Sequence, residues 1–171
     1  MMKIIPYFFV LKGQLKKINN MAQSLSKLYV HLIFHVKSSS VLIRQEDKAS
    51  LYAYIGSIIK DNESIPILVN GTNDHIHLLL VLSKNISLAK ITEEIKRHSS
   101  RWIKTIHPYY KSFAWQGGYA GFSVSQSIHN KTKDYIRNQE EHHKKLTFKE
   151  ELLLFLKEYG IEYNEDYLWN D

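Results

Sequence analysis

A chain of 171 residues, 44% hydrophobic and 23% charged, has the length and balance of one globular domain, which excludes a fibrous or wholly disordered protein. No apolar run approaches the roughly 20 residues a membrane helix needs. With no cysteine there is no disulfide, thiolate metal site or cysteine nucleophile. The formal charge of +6 is unevenly spread: residues 1–20 hold four lysines and no acid, residues 84–145 hold 12 basic against five acidic side chains, and residues 146–171 hold two against seven. A basic middle beside an acidic tail suits a polyanion held on one face, with nucleic acid the first candidate.

In chain order, Lys3 followed by Ile4 to Leu11 imitates a secretory leader. The run is short, contains Pro6, and leads into Lys12, Lys16 and Lys17 with no small-residue cleavage site, so export is rejected and a cytoplasmic protein is expected. Residues 1–20 read as an extension of a domain that begins near Met21, either an over-called start or a peripheral helix. Leu28 to Lys37 alternates: Leu28, Val30, Leu32, Phe34 and Val36 face one way and Tyr29, His31, Ile33, His35 and Lys37 the other, the pattern of a half-buried strand. Glu46 to Asp61 places Leu51, Tyr54, Ile55, Ile58 and Ile59 at helical spacing. Ile65 to Val69 reads as a strand, residues 70–74 as a turn, and His75 to Leu82 as a third strand.

Ser87 to Ile106 is a predicted helix with Ser87 as N-cap, a buried stripe of Leu88, Ile91, Ile95, His98, Trp102 and Ile106, and a separate basic face of Lys90, Arg97, Arg101 and Lys104. His107-Pro108 stops it. Tyr119 to Val124 makes a fourth strand, and Gln126 to Lys145 and Thr147 to Tyr159 two further helices. The order β-α-β-β-α-β followed by helices predicts an α+β, ferredoxin-like (RRM-like) antiparallel sheet with helices on one face, plus C-terminal helices that carry Tyr135. Domain boundaries follow: 1–20 extension, 21–145 main domain, 146–171 acidic C-terminal helix and tail, the last read as scaffolding or a dimer element without chemistry. Trp102 and Trp115 are aromatic groups on which bases could stack, although Trp102 lies on the apolar stripe.

Two local patterns carry chemistry. In His75-Ile76-His77, side chains at i and i+2 leave a strand on the same side, so both imidazoles can reach one divalent cation. The alternative is two half-exposed histidines on the open side of a sheet. In the later helix, Tyr135 and Gln139 stand at i and i+4 and share one face, which lets a phenol and an amide oxygen approach the same cation. Asn138, His142 and His143 are nearby groups that could substitute as ligands, and Lys131, Lys133 and Arg137 would meet a phosphate backbone.

Taken together, these patterns resemble the single-tyrosine transposases of bacterial insertion sequences, IS200-like members of the HUH endonuclease superfamily. HUH denotes two histidines around a bulky apolar residue, as in His75-Ile76-His77, and the family's helix tyrosine with a glutamine four residues on matches Tyr135 and Gln139. The opening strand, the Asn73-Asp74 lead-in and the Gly118 to Ser125 stretch are similar too, and the likeness spans about Ser26 to His143. The resemblance implies Tyr135 as nucleophile, His75, His77 and Gln139 as ligands of Mg²⁺ or Mn²⁺, single-stranded DNA with hairpins as substrate, a covalent 5′-phosphotyrosine, and a homodimer whose tyrosine can serve its own or the partner's histidines. Relatives tied to repetitive palindromes often carry Asn-Pro shortly after the tyrosine. Here Ile-Arg-Asn-Gln follows Tyr135, which favours the insertion-sequence type.

Two rival readings use the same residues. One is a non-catalytic RNA- or DNA-binding module, faintly echoed in Gly118 to Val124. The other is a metal-dependent hydrolase in which His75, His77 and a carboxylate activate water.

Overall fold

The structure, a computed structural model, describes residues 24–169; the expectations for residues 1–20 lie outside them. Strands β1 (Leu28–His35), β2 (Ile65–Gly71), β3 (His75–Leu82) and β4 (Ala120–Val124) form one antiparallel sheet in the order β2-β3-β1-β4. Helix α1 (Lys48–Asp61) links β1 to β2, and α2 (Leu88–Ile106) links β3 to β4. This is the ferredoxin-like order expected, with β1 and β3 at the centre.

Alternation along the central strands sorts their side chains between two layers. Val30, Leu32 and Phe34 of β1 and Ile76, Leu78 and Leu80 of β3 meet Leu51, Ile55 and Ile59 of α1 and Ile91 and Ile95 of α2 in the main core. Each fully buried Leu or Phe there contributes about 2 kcal/mol. The opposite face was expected to be open on β1, but it is covered as well. Helices α3 (His129–Arg137), α4 (Gln139–His142), α5 (Phe148–Glu158) and α6 (Glu165–Leu168) follow β4. Ile136 of α3 packs with Tyr29, Leu79 and Val124, while Leu152 and Leu156 of α5 pack with Ile33 and Phe122. The odd-numbered residues of β1 and β3, histidines included, are therefore enclosed between sheet and helices.

Two helix expectations change. The buried stripe of α2 runs through Ile91, Thr92, Ile95, Ser99 and Ile103, one position round from the predicted one. Ile106 is exposed, and His98 pairs with Glu94 at 3.0 Å. Ser99 is tolerated in the core because its hydroxyl donates to the Ile95 carbonyl at 2.6 Å and accepts from Trp115 Nε1 at 2.9 Å. The helix predicted over Gln126 to Lys145 is broken at Asn138, which has φ −96° and ψ 22°. Asn70, near the end of β2, explains the break. Its Nδ2 donates to the Ile136 and Arg137 carbonyls at 2.7 and 3.1 Å, the acceptors that Glu140 and Glu141 amides would need in a continuous helix. The α5 start is as expected: Thr147 and Glu150 form a reciprocal capping box. No helix among the described residues is long and apolar enough to cross a membrane.

Candidate active site

His75 and His77 leave β3 toward the α3–α5 layer and are fully buried. The β2–β3 connection that delivers them is tight: a Cβ on Gly71 would run into the His75 carbonyl oxygen. Both rings are held from behind. His75 Nδ1 lies 2.7 Å from Asp74 Oδ1 and 2.8 Å from Thr72 Oγ1. A carboxylate accepts, so His75 Nδ1 carries the proton and its Nε2 points inward with a free lone pair. Burial opposes ionisation of Asp74, but hydrogen bonds from His75 and Thr72 outweigh it and hold that carboxyl well below the usual range. His77 Nδ1 lies 2.9 Å from Nε2 of His31, which is itself buried on β1.

Facing the two imidazoles is a carboxylate absent from the sequence reading, Glu151 of α5, only 4% exposed. Its Oε2 lies 3.3 Å from His77 Nε2 and 3.8 Å from His75 Nε2. Its Oε1 accepts from the Tyr135 hydroxyl and, at 3.1 Å, from Gln139 Nε2. Gln139 is buried, with Oε1 3.4 Å from His75 Nε2 and 3.1 Å from His143 Nε2. His143 Nε2 is also 3.1 Å from Glu151 Oε2, so it serves as N–H donor to these oxygens. Tyr135, Gln139, His75 and His77, predicted to converge, do so within one chain. Gln139 reaches the cluster from α4, after the break, rather than from the helix of Tyr135.

The electrostatics follow from enclosure. Burial lowers His77 to about 4, against an opposing pull from Glu151, so its imidazole is neutral near pH 7. His31 is likewise lowered by burial and then by His77. Glu151 would be raised by burial, yet contacts with His77, Tyr135 and Gln139 outweigh this and keep it ionised. Tyr135 is pushed well above its ordinary value by burial and by the adjacent Glu151, so as it stands it is a protonated phenol.

His75, His77, His143 and Glu151 each offer a ligand atom, all within 4.8 Å of one another. Among the described residues, His77 Nε2 is buried without a hydrogen-bond partner; Glu151 stands near it but out of line for one. A buried nitrogen left without a partner beside an ionised carboxylate is an unfavourable arrangement that a cation between them relieves. The donor set of imidazole nitrogens and amide and carboxylate oxygens fits a divalent metal ion. The cluster opens to a cleft of about 340 Å³ lined by His31, Lys131, Tyr135, His142, Glu151 and Phe155 among others.

Other expected residues are distributed unevenly. Lys131 lies at the cleft, with Lys133 and Arg137 on the same short helix; Arg137 is engaged by Asp134 at 3.1 Å. Lys90, Arg97, Arg101 and Lys104 lie on α2, in the layer behind the sheet, where Lys90 and Arg97 are paired with Glu94. Trp115 is buried against Phe34 and Phe113, and Trp102 stacks on Tyr54, so both tryptophans are packing groups. Glu151 carried a readable signal. It falls among Phe148, Leu152, Phe155 and Tyr159 at i, i+3, i+4 spacing, a carboxylate on the apolar stripe of its helix.

Fold and site define a class of α+β protein in which a helix tyrosine, paired strand histidines and a carboxylate meet on one face of a ferredoxin-like sheet. The sequence model of the IS200-like transposases matches residues 24–139, and the chain belongs to that family. A candidate transposase from Deinococcus radiodurans R1 shares the fold at a TM-score of 0.54 and 21% identity, over 71% of this chain and 98% of that one. A REP-associated tyrosine transposase bound to a REP hairpin matches at a TM-score of 0.54 and 13% identity, over 74% of each chain. No curated protein matches the sequence. His143 and Glu151 lie beyond the stretch matched by the family.

Proposed function

We propose that this transposase cleaves and rejoins single-stranded DNA at hairpin-bearing element ends, with Tyr135 as nucleophile and Mg²⁺ or Mn²⁺ held by His75, His77 and Gln139. The observation that carries the reading is the position of the Tyr135 hydroxyl, one hydrogen bond from a carboxylate that also faces both histidines. In the cleavage step the phenol oxygen bonds to phosphorus as the bond from phosphorus to the 3′-oxygen breaks. A 3′-OH and a 5′-phosphotyrosine result, and attack by a 3′-OH reverses the exchange at joining. One ester replaces another, so no nucleotide cofactor is needed. The cation, when bound, neutralises charge on the phosphate oxygens as a Lewis acid.

The chain's own residues supply the rest. His75 and His77 are fixed by Asp74 and His31, Glu151 holds the hydroxyl, and Lys131 offers charge to a phosphate at the cleft. A hairpin partner is supported by the fold neighbour named as bound to a REP hairpin. Homodimer assembly, and action in the cytoplasm on nucleoid DNA, rest on the family resemblance, while the candidate residues lie together within one chain. In this reading the functional unit runs past the expected boundary at residue 145, because α5 supplies Glu151.

Incubation with hairpin-bearing single-stranded element ends and Mn²⁺ is expected to give a denaturant-resistant protein–DNA adduct, lost in Tyr135→Phe while DNA binding is kept. Tight binding with no adduct on any cognate end would favour the non-catalytic module. Because Glu151 also provides the carboxylate a metal-dependent hydrolase needs, the same variant decides that alternative: unimpaired cleavage by Tyr135→Phe assigns the chemistry to water.

A further inference from the structure

We infer that Glu151 is itself a ligand of the divalent cation, contributed by a helix outside the stretch the family model covers; this rests on the metal-dependent reading above. Three observations converge on it. Glu151 Oε2 lies 3.3 Å from His77 Nε2 and 3.8 Å from His75 Nε2, while Gln139 Oε1 lies 3.4 Å from His75 Nε2. In an octahedron with bonds of about 2.1 Å, neighbouring ligand atoms stand about 3.0 Å apart and opposite ones about 4.2 Å. The three separations fall between those two values, the range expected of ligand atoms around one ion.

The second observation is the buried His77 Nε2, 3.3 Å from Glu151 Oε2 and without a hydrogen-bond partner among the described residues. The third is charge. His75, His77 and Gln139 form a neutral donor set, and a divalent ion placed among neutral groups in an enclosed site lacks the counter-charge that offsets its desolvation. Glu151 brings that charge on a hard oxygen suited to Mg²⁺ or Mn²⁺.

The two carboxylate oxygens divide the work. Oε2 faces the imidazoles, and Oε1 accepts from the Tyr135 hydroxyl and from Gln139 Nε2. One side chain thereby sets the separation between nucleophile and cation. The acidic C-terminal segment is part of the metal site.

The test is Mn²⁺ binding to the full chain without DNA, followed by electron paramagnetic resonance of free ion. Glu151→Gln is expected to weaken binding at least tenfold, while Lys60→Ala, at an exposed position of α1 behind the other face of the sheet, keeps the native affinity. Glu151→Ala gives the same reading should the glutamine variant not fold, as judged by circular dichroism. Native affinity in whichever folded variant overturns the assignment. If the His75→Ala/His77→Ala double variant also binds Mn²⁺ as tightly as the native chain, the metal-site reading beneath it fails instead.

Discussion

His31 lines the cleft but is only 2% exposed, and its contact with His77 makes it a positioning residue. Held 2.9 Å from His77 Nδ1, it fixes the ring so that Nε2 faces the cluster. It sits among the rings of Phe122, Phe155 and Tyr135, so His31→Phe is expected to fold. That variant should lose roughly 10–100-fold in Mn²⁺ affinity, the usual effect of removing such a partner; unchanged affinity would show that packing alone orients His77. The same pair predicts acid sensitivity. His77 has a folded-state value of about 4, below the ordinary histidine value, and His31 is shifted in the same direction. The unfolded chain therefore binds protons more readily than the folded one between about pH 6.5 and 4, so stability falls as pH falls through that window. The slope is up to about 1.4 kcal/mol per pH unit for each such histidine, or about 3 kcal/mol in all for His77. Denaturant titrations of the metal-free protein at pH 7 and pH 5 measure it, and equal stabilities would mean these rings are not buried neutral.

The elements that bear the site differ in how far the sequence announces them. Strand β3 was legible because two histidines at i and i+2 in an apolar run have one geometry available, and β1 because its alternation is unbroken. The start of α5 at Thr147 was legible, and a local capping box between Thr147 and Glu150 fixes it there. The break at Asn138 was not, since its cause is Asn70, whose side chain captures carbonyls 66 and 67 residues away. Glu151 was obscured differently: its helix read as acidic scaffolding or a dimer element without chemistry, because net charge over residues 146–171 masks one carboxylate on the apolar side. The Asn70 contact has a testable consequence. Asn70→Ala frees the Ile136 and Arg137 carbonyls to accept from a continued helix, which would carry Gln139 away from His75. A loss of about 1–2 kcal/mol from two hydrogen bonds is expected, accompanied by a weaker Mn²⁺ affinity. A stability loss with native affinity would show that α4 is held by its own contacts.

At the scale of the molecule, the sheet separates two basic surfaces. Lys131 lies at the cleft beside Tyr135, whereas Arg101 and Lys104 are exposed on α2 behind the opposite face of the sheet. On the proposed function, a DNA strand whose phosphate reaches Tyr135 would lie along the α3–α5 layer, and contacts within that layer would track cleavage. Each phosphate neutralised by a lysine releases counterion, so binding falls with salt by an amount that counts such contacts. Lys131→Ala is expected to weaken hairpin DNA binding and to lower the slope of log affinity against log salt by about one. The Arg101→Ala/Lys104→Ala pair should leave the rate of adduct formation at saturating DNA unchanged, because neither side chain shares a layer with Tyr135. If that pair instead slows the adduct while Lys131→Ala does not, the DNA path crosses the sheet edge to α2, and the charge on the far layer belongs to the substrate surface after all.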